Sequence, residues 1–288
     1  MDLSTARAIH PCSESEFVSL IMDFTIITPS LNYGHFLRDC LESVASQECV
    51  NLEHLVMDGG STDDSAQIAA EFPSVDFRQE PDNGMSHAIN KGFAAARGDW
   101  VMWLNADDRL KPGALAKVLH HLRGSDADIA YADWNLISEN GEHIRHIRSV
   151  KWSRFVSVHH HCFVASTAAW YRRETVIAEG HRLREDFHYV MDGEFYVRMD
   201  SLGKSFLHVP EDAADFRLHS SNTSLRHSGI TRDMDTIIAA ERQHAESRAI
   251  RRAYGFTWTH NPYLNGITDG LLWIAAKAWK GVKRLLSV

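Results

Sequence analysis

Short apolar runs alternate with amphipathic segments through the first half of the chain. The runs are bounded by glycine, proline or polar residues, as strands are, and the segments between them carry apolar positions at helical spacing. The predicted strands are Phe24–Pro29, Leu52–Met57, Val75–Gln79, Trp100–Leu104 and Ile129–Ala132. The predicted helices are His35–Gln47, Asp64–Glu71, Ser86–Ala96 and Pro112–Leu122. This alternation predicts an α/β layer with a mainly parallel sheet and right-handed crossovers.

The alternation loosens after Asp133, which predicts a mixed second half. A hairpin is predicted over Leu136–Val150, around the turn formers Asn140 and Gly141. The other predicted elements are helices over Arg172–Glu179, Met191–Leu202 and Arg232–Tyr254 and a strand over Ser205–Val209. We therefore expect an N-terminal extension over 1–22, one domain over 23–228 and a helical extension over 229–288.

The last segment has a pattern of its own. At ~100° per residue, one face of the helix predicted over Leu271–Leu286 is apolar and the other is basic. The apolar face holds Leu271, Ile274, Ala275, Ala278, Val282, Leu285 and Leu286, and the basic face holds Lys277, Lys280, Lys283 and Arg284. This pattern predicts either a peripheral membrane contact through residues 264–288 or a terminal helix docked on the protein's own core.

Charge and composition exclude several classes of protein. The net charge of -8 is not that of a general nucleic-acid-binding protein. The four cysteines form no C-x-x-C pair, so neither a zinc knuckle nor a disulfide framework is indicated. The N-terminus lacks the pattern of a signal peptide, and no apolar run reaches the ~18 residues of a spanning helix. We expect a cytoplasmic protein that can also lie at the inner face of the cytoplasmic membrane.

An acidic cluster directly follows the most apolar predicted strand. Trp100–Leu104 ends at Asn105-Ala106-Asp107-Asp108, which places two adjacent carboxylates at the carboxyl end of a buried strand. Open α/β sheets bind their ligands at this edge. The two carboxylates repel each other unless a cation lies between them or one stays protonated. A divalent ion completed by substrate phosphates would resolve the repulsion, and a solvated acidic turn is the alternative.

A second acidic motif, Asp58-Gly-Gly-Ser-Thr-Asp63, directly follows the second predicted strand. Its glycines would let the backbone approach a ligand closely, and Asp58 could accept hydrogen bonds from a ribose or a base. The spacing is not that of a calcium loop. The chain also lacks a dinucleotide fingerprint, a P-loop and a G-x-S-x-G elbow.

Several motifs, in this order, give the chain a likeness to one family. They are Thr28-Pro-Ser-Leu-Asn32, Asp58-Gly-Gly-Ser-Thr-Asp63, Asp82-Asn-Gly84 with Ala88-Ile-Asn-Lys-Gly92, Asn105-Ala-Asp-Asp108, His188-Tyr-Val-Met-Asp192 with Arg198, and Phe216-Arg-Leu-His219. Together they resemble the family 2 inverting glycosyltransferases of bacterial polysaccharide and cell-wall biosynthesis. The resemblance covers roughly residues 24–225. It implies a GT-A (Rossmann-like) fold, with a mixed, mainly parallel central sheet flanked by helices.

The resemblance also implies roles for individual residues. The nucleotide-binding set would be Pro29, Ser30, Asn32, Asp58, Asp82, Gly84, Lys91, Asn105 and Ala106. The metal set, for Mn²⁺ or Mg²⁺, would be Asp107, Asp108 and His219. Asp192 matches the general base, with Met191 where many members have Glu, and Asn105 replaces the first acid of the D-x-D motif. Asp192 could instead cap the following helix, and His219 could be a structural histidine.

Three further residues are candidates for contact with the acceptor. Arg172 and Arg173 would suit a phosphate-bearing acceptor, or they form a solvated charge pair. Trp170 could stack on a sugar, or it packs in the core.

The chemistry agrees with the implied roles. A nucleoside diphosphate leaves readily only when its charge is neutralised, which a divalent ion does as a Lewis acid. An attacking hydroxyl needs a carboxylate within reach to accept its proton. The sequence therefore predicts a metal-dependent inverting transferase that uses a nucleotide-sugar, with UDP-sugar favoured, and a glycan or polyprenyl-linked acceptor. The alternatives are a catalytically inactive carbohydrate- or nucleotide-sugar-binding module and a sugar nucleotidyltransferase.

Overall fold

The structure is a computed structural model that describes residues 22–159, 162–222 and 234–255, together with eight positions between 271 and 282. Most of the predicted N-terminal extension, and much of the predicted tail, lie outside the described residues. The predicted α/β class is confirmed: helices flank one mixed, mostly parallel sheet.

The described residues contain nine strands, all in this sheet. They are β1 (Phe24–Ser30), β2 (Leu52–Asp58), β3 (Val75–Gln79), β4 (Trp100–Trp103), β5 (Arg109–Leu110), β6 (Ile129–Ile137), β7 (His143–Ile147), β8 (Ala169–Arg172) and β9 (Phe206–Arg217). The strand order is β3-β2-β1-β4-β8-β6-β9-β5, and β7 pairs with the carboxyl-terminal half of β6. The pairs β1–β2, β1–β4, β2–β3 and β6–β9 are parallel.

The helices follow the predicted crossovers closely. They are α1 (Gly34–Ala45), α2 (Ser65–Ala69), α3 (Met85–Ala95), α4 (Ala114–Leu122), α5 (Arg154–His159), α6 (Met191–Ser201) and α7 (Met234–Tyr254). Strands β1 and β4 are buried along their whole length, because helices cover both faces of the sheet. This double cover explains why β4 is a continuous apolar run and why even the threonines of β1, Thr25 and Thr28, are fully buried.

The second half differs from the prediction in two places. The helix predicted over Arg172–Glu179 is wrong at its start, because Arg172 ends β8 and only Glu174–Ala178 forms a helical turn, of the π type. Strand β8 lies reversed between β4 and β6. The strand predicted over Ser205–Val209 is longer, since β9 continues to Arg217 alongside β6. The structure thus adds antiparallel strands to the parallel layer.

Helix α7 packs on the domain that precedes it. Ile250 is buried in the same apolar cluster as Phe195 and Met199 of α6. The phenol of Tyr254 donates a hydrogen bond to Glu194, also on α6. Although the predicted division at residue 228 stays a prediction, the described part of the extension contacts the domain directly.

The described positions between 271 and 282 are helical. Leu271, Ile274, Trp279 and Val282 are exposed there, with exposed fractions between 43% and 62%. Within the part of the chain that the structure describes, we find no helix long and apolar enough to cross a membrane.

Candidate active site

Most of the predicted site residues gather where three parallel strands end. Ser30, the last residue of β1, lies in register with Asp58, the last residue of β2. Strand β4 ends one residue before Leu104, whose backbone N–H donates to Ile27 of β1, and the acidic cluster follows at once. The carboxyl ends of β1, β2 and β4 therefore form one polar edge, as sheets of this kind do.

Asp58 is buried beneath the loop that follows β2. Its Oδ1 accepts hydrogen bonds from the N–H groups of Gly60 and Ser61 at 3.0 and 2.7 Å, and its Oδ2 accepts one from the Ser61 hydroxyl at 2.5 Å. Gln79, at the end of β3, also donates to Oδ1. These bonds fix the carboxylate at the polar edge. Beside it, the buried Ser30 hydroxyl has no hydrogen-bond partner among the described residues, which is unusual for a buried polar group.

Asn32 ties the loops after β1 and β2 together. Its side-chain oxygen accepts the Thr62 N–H, and its own N–H donates to the Ser61 hydroxyl. The residue has φ 57°, a left-handed conformation that asparagine tolerates better than most residues. Asn32 therefore shapes the predicted nucleotide pocket.

Asp82 reaches the same edge from the loop after β3. A Cβ atom on Gly59 would lie 2.7 Å from Oδ2 of Asp82, so a larger residue at position 59 would displace this carboxylate. Gly84, with φ 114°, turns the chain into α3 while its N–H donates to Asp82. Lys91 was predicted to contact the nucleotide, but its ammonium donates to the carbonyls of Glu80 and Pro81. Lys91 thus holds the loop that carries Asp82 and does not point freely toward a nucleotide.

His219 and Asp107 meet in a buried pair. Nε2 of His219 lies 2.8 Å from Oδ2 of Asp107, and Nδ1 lies 2.9 Å from the Ser221 hydroxyl. Asn222 donates its side-chain N–H to the same Asp107 oxygen. The rings of Tyr33 and Phe36 enclose the imidazole. The structure therefore brings together two of the three predicted metal ligands.

Asp108 does not join that pair, which corrects its predicted role as a metal ligand. The side chain is 1% exposed, and its Oδ1 accepts the backbone N–H of Arg217. Its Oδ2 accepts the side-chain N–H of Asn105. Burial, and then the charge of Asp107, raise the pKa of Asp108 well above its ordinary value. Asp108 is therefore an internal anchor of the acidic cluster.

Arg217 is the residue that sequence analysis left without a role. Its guanidinium, 2% exposed, donates to the carbonyls of Asp107 and Glu139 and to the carboxylate of Asp39. It fixes the backbone of the acidic cluster and places a positive charge beneath it. The signal was present in the sequence: in an extended segment, alternate residues share a face. That rule puts Arg217 and His219 on one side.

Two other residues predicted to contact the nucleotide, Ala106 and Asn105, are buried in part or in full. The methyl group of Ala106 is buried in an apolar cluster with Leu37 and Val56, so only its backbone can meet a ligand. The side-chain oxygen of Asn105 is buried without a partner among the described residues. Pro29 precedes Ser30, the last residue of β1, so it lies at the polar edge.

The donor set at Asp107 and His219 fits a divalent ion that shares its coordination with a ligand. Carboxylate oxygen suits Mn²⁺ and Mg²⁺, and imidazole nitrogen suits transition metals. Among the described residues, no group of three or more His, Cys, Asp or Glu side chains could hold a metal by itself. The pair would therefore need further oxygens, such as those of a diphosphate.

Asp192 lies in the first turn of α6, at the same edge. The preceding residue, Met191, accepts a hydrogen bond at its sulfur from Ser86, in the first turn of α3. Since α3 starts just beyond the carboxyl end of β3, the start of α6 lies at this edge too. Oδ1 of Asp192 accepts the N–H of Gly193, while the N-cap position belongs to Val190. Burial raises the pKa of Asp192 above its ordinary value, which strengthens the carboxylate as a base.

The structure places the three predicted acceptor contacts away from the acidic cluster. Arg172 pairs with Trp100, the first residue of β4, so it lies at the amino end of the sheet. Its guanidinium donates to the carbonyls of Ser125 and Ala127 and stacks on the Trp100 ring. Arg173 lies at the same end, bonded through its N–H to Asp99. Trp170 is fully buried in the core. Strand β8 runs opposite to β4, which carries these residues away from the acidic cluster.

Residues 25–204 match the family model described as glycosyl transferase family 2. The chain belongs to this family. The match spans β1 to the end of α6, which includes every strand end that builds the polar edge. The resemblance inferred from the motifs is thereby confirmed.

Curated relatives agree with the family assignment. Over 124 residues, 41% of this chain, it is 37% identical to a PGL/p-HBAD biosynthesis glycosyltransferase of Mycobacterium tuberculosis. The alignment spans about half (48%) of that relative's length. The chain is also 31% identical over 218 residues, 72% of its length, to the O-antigen biosynthesis protein RfbC of Myxococcus xanthus, of which the alignment covers 16%.

Solved structures share the fold. The S. aureus protein TarS, in complex with UDP-GlcNAc, superposes with a TM-score of 0.60 at 16% identity, covering 88% of this chain and 79% of that one. The mannosyltransferase PcManGT of Pyrobaculum calidifontis, in complex with GDP-Man and Mn²⁺, gives 0.54 at 14% identity, covering 92% and 85%. At these identities the likeness establishes the fold alone, and it confirms the GT-A class for this family 2 chain.

Proposed function

We propose that this family 2 protein is an inverting glycosyltransferase that uses a nucleotide-sugar donor, with UDP-sugar as the favoured class. The observation that carries the proposal is the Asp107–His219 pair, which lies at the same strand edge as Asp58 and Asp192. A metal ligand pair, a nucleotide pocket and a base are the three parts that such a transfer needs. The acceptor we propose is a hydroxyl of a polysaccharide or a polyprenyl-linked glycan.

The nucleotide would bind at the ends of β1 and β2. Asp58, held by the Gly60 and Ser61 N–H groups, is a rigid acceptor for the donors of a uracil or ribose. Ser30 offers a hydroxyl that no described residue satisfies, and a ligand would complete it. The solved UDP-GlcNAc complex of TarS, which shares the fold, supports a UDP-sugar as the donor.

The charges at this edge support a need for a cation. Asp58, Asp82, Asp107 and Asp192 are all acidic, and the nearby guanidinium of Arg217 is buried in other bonds. A diphosphate would be repelled by such an edge unless a cation accompanied it. Asp107 and His219 would hold Mn²⁺ or Mg²⁺, which, when bound, supplies charge neutralisation for the departing nucleoside diphosphate.

Asp192 would accept the proton of the attacking hydroxyl. Its Oδ1 is engaged with Gly193, and its Oδ2 accepts no hydrogen bond within the described part of the chain. The raised pKa brings the carboxylate closer to the operating pH, where a general base is most effective. With one base and one leaving-group site, the arrangement favours a single displacement with inversion at the anomeric carbon.

The test is release of UDP from a panel of UDP-sugars, with and without Mn²⁺, by the wild type, Asp107→Ala and Asp99→Ala. Asp99 is a matched control because it is an exposed aspartate just before β4, at the opposite edge. We expect Mn²⁺-dependent release by the wild type and Asp99→Ala and its loss in Asp107→Ala. Donor binding without turnover in every variant would instead indicate a binding module. The anomeric configuration of the product, read by NMR, tests inversion.

We also propose that the terminal helix contacts an anionic membrane surface, where lipid-linked acceptors are presented. Four large apolar side chains are exposed on the described helical positions between 271 and 282. The sequence places basic residues on the opposite face. An amphipathic helix of this kind lies in the membrane interface by burying its apolar face among the acyl chains.

A further inference from the structure

A carboxylate of α7 binds the chain segment that leads into α6. Oε1 of Glu246 accepts the N–H of His188 at 2.9 Å, and Oε2 accepts those of Tyr189 and Val190 at 2.9 and 3.1 Å. Helix α6 starts at Met191 and has no side-chain cap hydrogen bond of its own. Glu246, from 56 to 58 residues away along the chain, thus satisfies three consecutive N–H groups at the helix entry.

Three consecutive N–H groups that point at one carboxylate form a strong anchor. Hydrogen bonds to an ionised acceptor are roughly twice as strong as neutral ones. A negative charge is also stabilised where the partial positive charge of a helix N-terminus lies. Since Val190 is the N-cap and Asp192 is two residues further on, the anchor determines how the first turn of α6 is oriented.

Glu246 is itself held in place along α7. Ile250, four residues further, is buried in the core, and Tyr254, four residues further again, donates to Glu194 of α6. Residues four apart share a face of a helix, so these three side chains form one contact line. On the other side of the segment, Ser86 of α3 contacts Met191. The start of α6 is therefore clamped between α3 and α7.

We propose that Glu246 is a positioning residue for catalysis: its carboxylate fixes residues 188–190 and thereby places the Asp192 carboxylate against the acceptor hydroxyl. This inference rests on the proposed role of Asp192 as the general base. It assigns to the C-terminal extension a direct part in building the active site. A misplacement of a catalytic group by about 1 Å can cost about 100-fold in rate, so the anchor matters more for turnover than for donor binding.

The test compares Glu246→Gln with Glu241→Gln. Glu241 is a matched control because it is an exposed glutamate on the same helix. Glutamine keeps the size of the side chain but replaces one accepting oxygen with an N–H₂ group, which faces the backbone donors. We expect kcat to fall by about 100-fold in Glu246→Gln, with the donor KM and the half-saturating Mn²⁺ concentration within about twofold of wild type. Glu241→Gln should match the wild type.

Two readouts separate positioning from a general loss of folding. Hydrogen exchange at the amides of residues 188–190 should be faster in Glu246→Gln while the amides of β1 and β4 stay protected. For each variant, the measured kcat is divided by the fraction of folded protein, so that a loss of folding is not counted as a loss of turnover. Equal exchange in both variants, or a corrected kcat equal to wild type, would overturn the inference.

The shorter Glu246→Asp variant distinguishes reach from charge. Aspartate keeps the negative charge but is one methylene shorter, so it should restore less than half of the lost kcat. If Glu246→Asp had the kcat of the wild type, the negative charge of residue 246 would act through space without the hydrogen bonds. That result would contradict the positioning role. Failure of the proposed function has a different signature: wild type, Glu241→Gln and Glu246→Gln would all lack donor turnover, while the difference in amide exchange would remain.

Discussion

Nε2 of His219 lies 2.8 Å from Oδ2 of Asp107, although 112 residues separate the two along the chain. Asp107 follows β4, near the middle of the sheet, and His219 follows β9, beyond β8 and β6. The pair makes His219 a candidate metal ligand and argues against a purely structural role, because its partner Asp107 is the proposed metal ligand.

The pair predicts a metal phenotype for His219. We expect His219→Gln to raise the half-saturating Mn²⁺ concentration by about 10- to 100-fold, the range that follows loss of groups that complete or orient a metal site. The measurement is donor turnover across a Mn²⁺ titration. His120→Gln, an exposed histidine on α4, is the control and should titrate like the wild type. An unchanged titration for His219→Gln would return this residue to a structural role.

The raised pKa of Asp192 predicts a pH dependence of activity. Only the ionised carboxylate accepts a proton, so kcat/KM should fall as the pH drops through this raised pKa. The fall should therefore occur at a higher pH than the ~3.9 of an ordinary aspartate. The pH–rate profile of the wild type checks this; an acid limb at or below the ordinary value would contradict it.

The same shift predicts how stability depends on pH. The folded state binds the Asp192 proton more tightly than the unfolded chain does, so the stabilisation is complete below the ordinary pKa and is lost as the pH rises through the raised one. Asp192→Asn should therefore be inactive yet have a higher Tm than wild type at pH 7. The difference should shrink toward pH ~4, as thermal denaturation at several pH values would show.

Arg217 should be essential for stability. Arg217→Met leaves the carbonyls of Asp107 and Glu139 without donors and buries the acidic cluster without its cation, which typically costs about 3–5 kcal/mol. Urea denaturation measures the change. The control is Arg38→Met, which removes an exposed ion pair with Glu71 and should leave the midpoint nearly unchanged. Equal midpoints for the two variants would mean that Arg217 does not stabilise the acidic loop.

The position of Arg173 predicts an inert substitution. The side chain is exposed at the amino end of the sheet, away from the acidic cluster. Arg173→Gln should leave kcat and the KM values for donor and acceptor within about twofold of wild type, as expected of surface sites. A larger rise in the acceptor KM would restore the acceptor contact that the strand direction argues against.

The exposed apolar residues of the terminal helix predict binding to anionic vesicles. We expect a triple variant, Leu271→Ser, Ile274→Ser and Val282→Ser, to co-sediment less with vesicles that contain phosphatidylserine. Each substitution removes exposed apolar area that the membrane would otherwise bury. Leu202→Ser removes an equally exposed leucine from the domain surface and is the control. Equal sedimentation of the triple variant and the wild type would argue against the membrane contact.

The polar edge could be predicted because parallel strands direct their ends to one side. Once Phe24–Pro29, Leu52–Met57 and Trp100–Leu104 are recognised as strands, Ser30, Asp58 and Asp107 must lie near one another. Apolar runs of this length are strong local signals. The family motifs then supplied roles that the strand pattern alone did not.

What the sequence did not reveal depends on contacts between distant segments. The direction of β8 is set by pairing with β4 and β6. Trp170 was therefore predicted to stack on a sugar and Arg172 to contact a phosphate, whereas Trp170 lies in the core and Arg172 lies at the amino end of the sheet. The bonds from Arg217 to the acidic cluster join residues more than 100 positions apart. No local pattern in Arg232–Tyr254 identifies Glu246 as the cap of another helix.

The reversed placement of β8 has a consequence for synthesis of the chain. Strand β4 emerges from the ribosome with one neighbour, β1, already made, but its other neighbour follows only after about 65 residues. At ~5–20 residues per second, this buried apolar strand keeps an unpaired edge for roughly 3 to 13 seconds. During that interval the nascent chain offers a template for wrong pairing. Chaperone capture of stalled nascent chains should therefore be strongest between the appearance of Trp103 and that of Arg172.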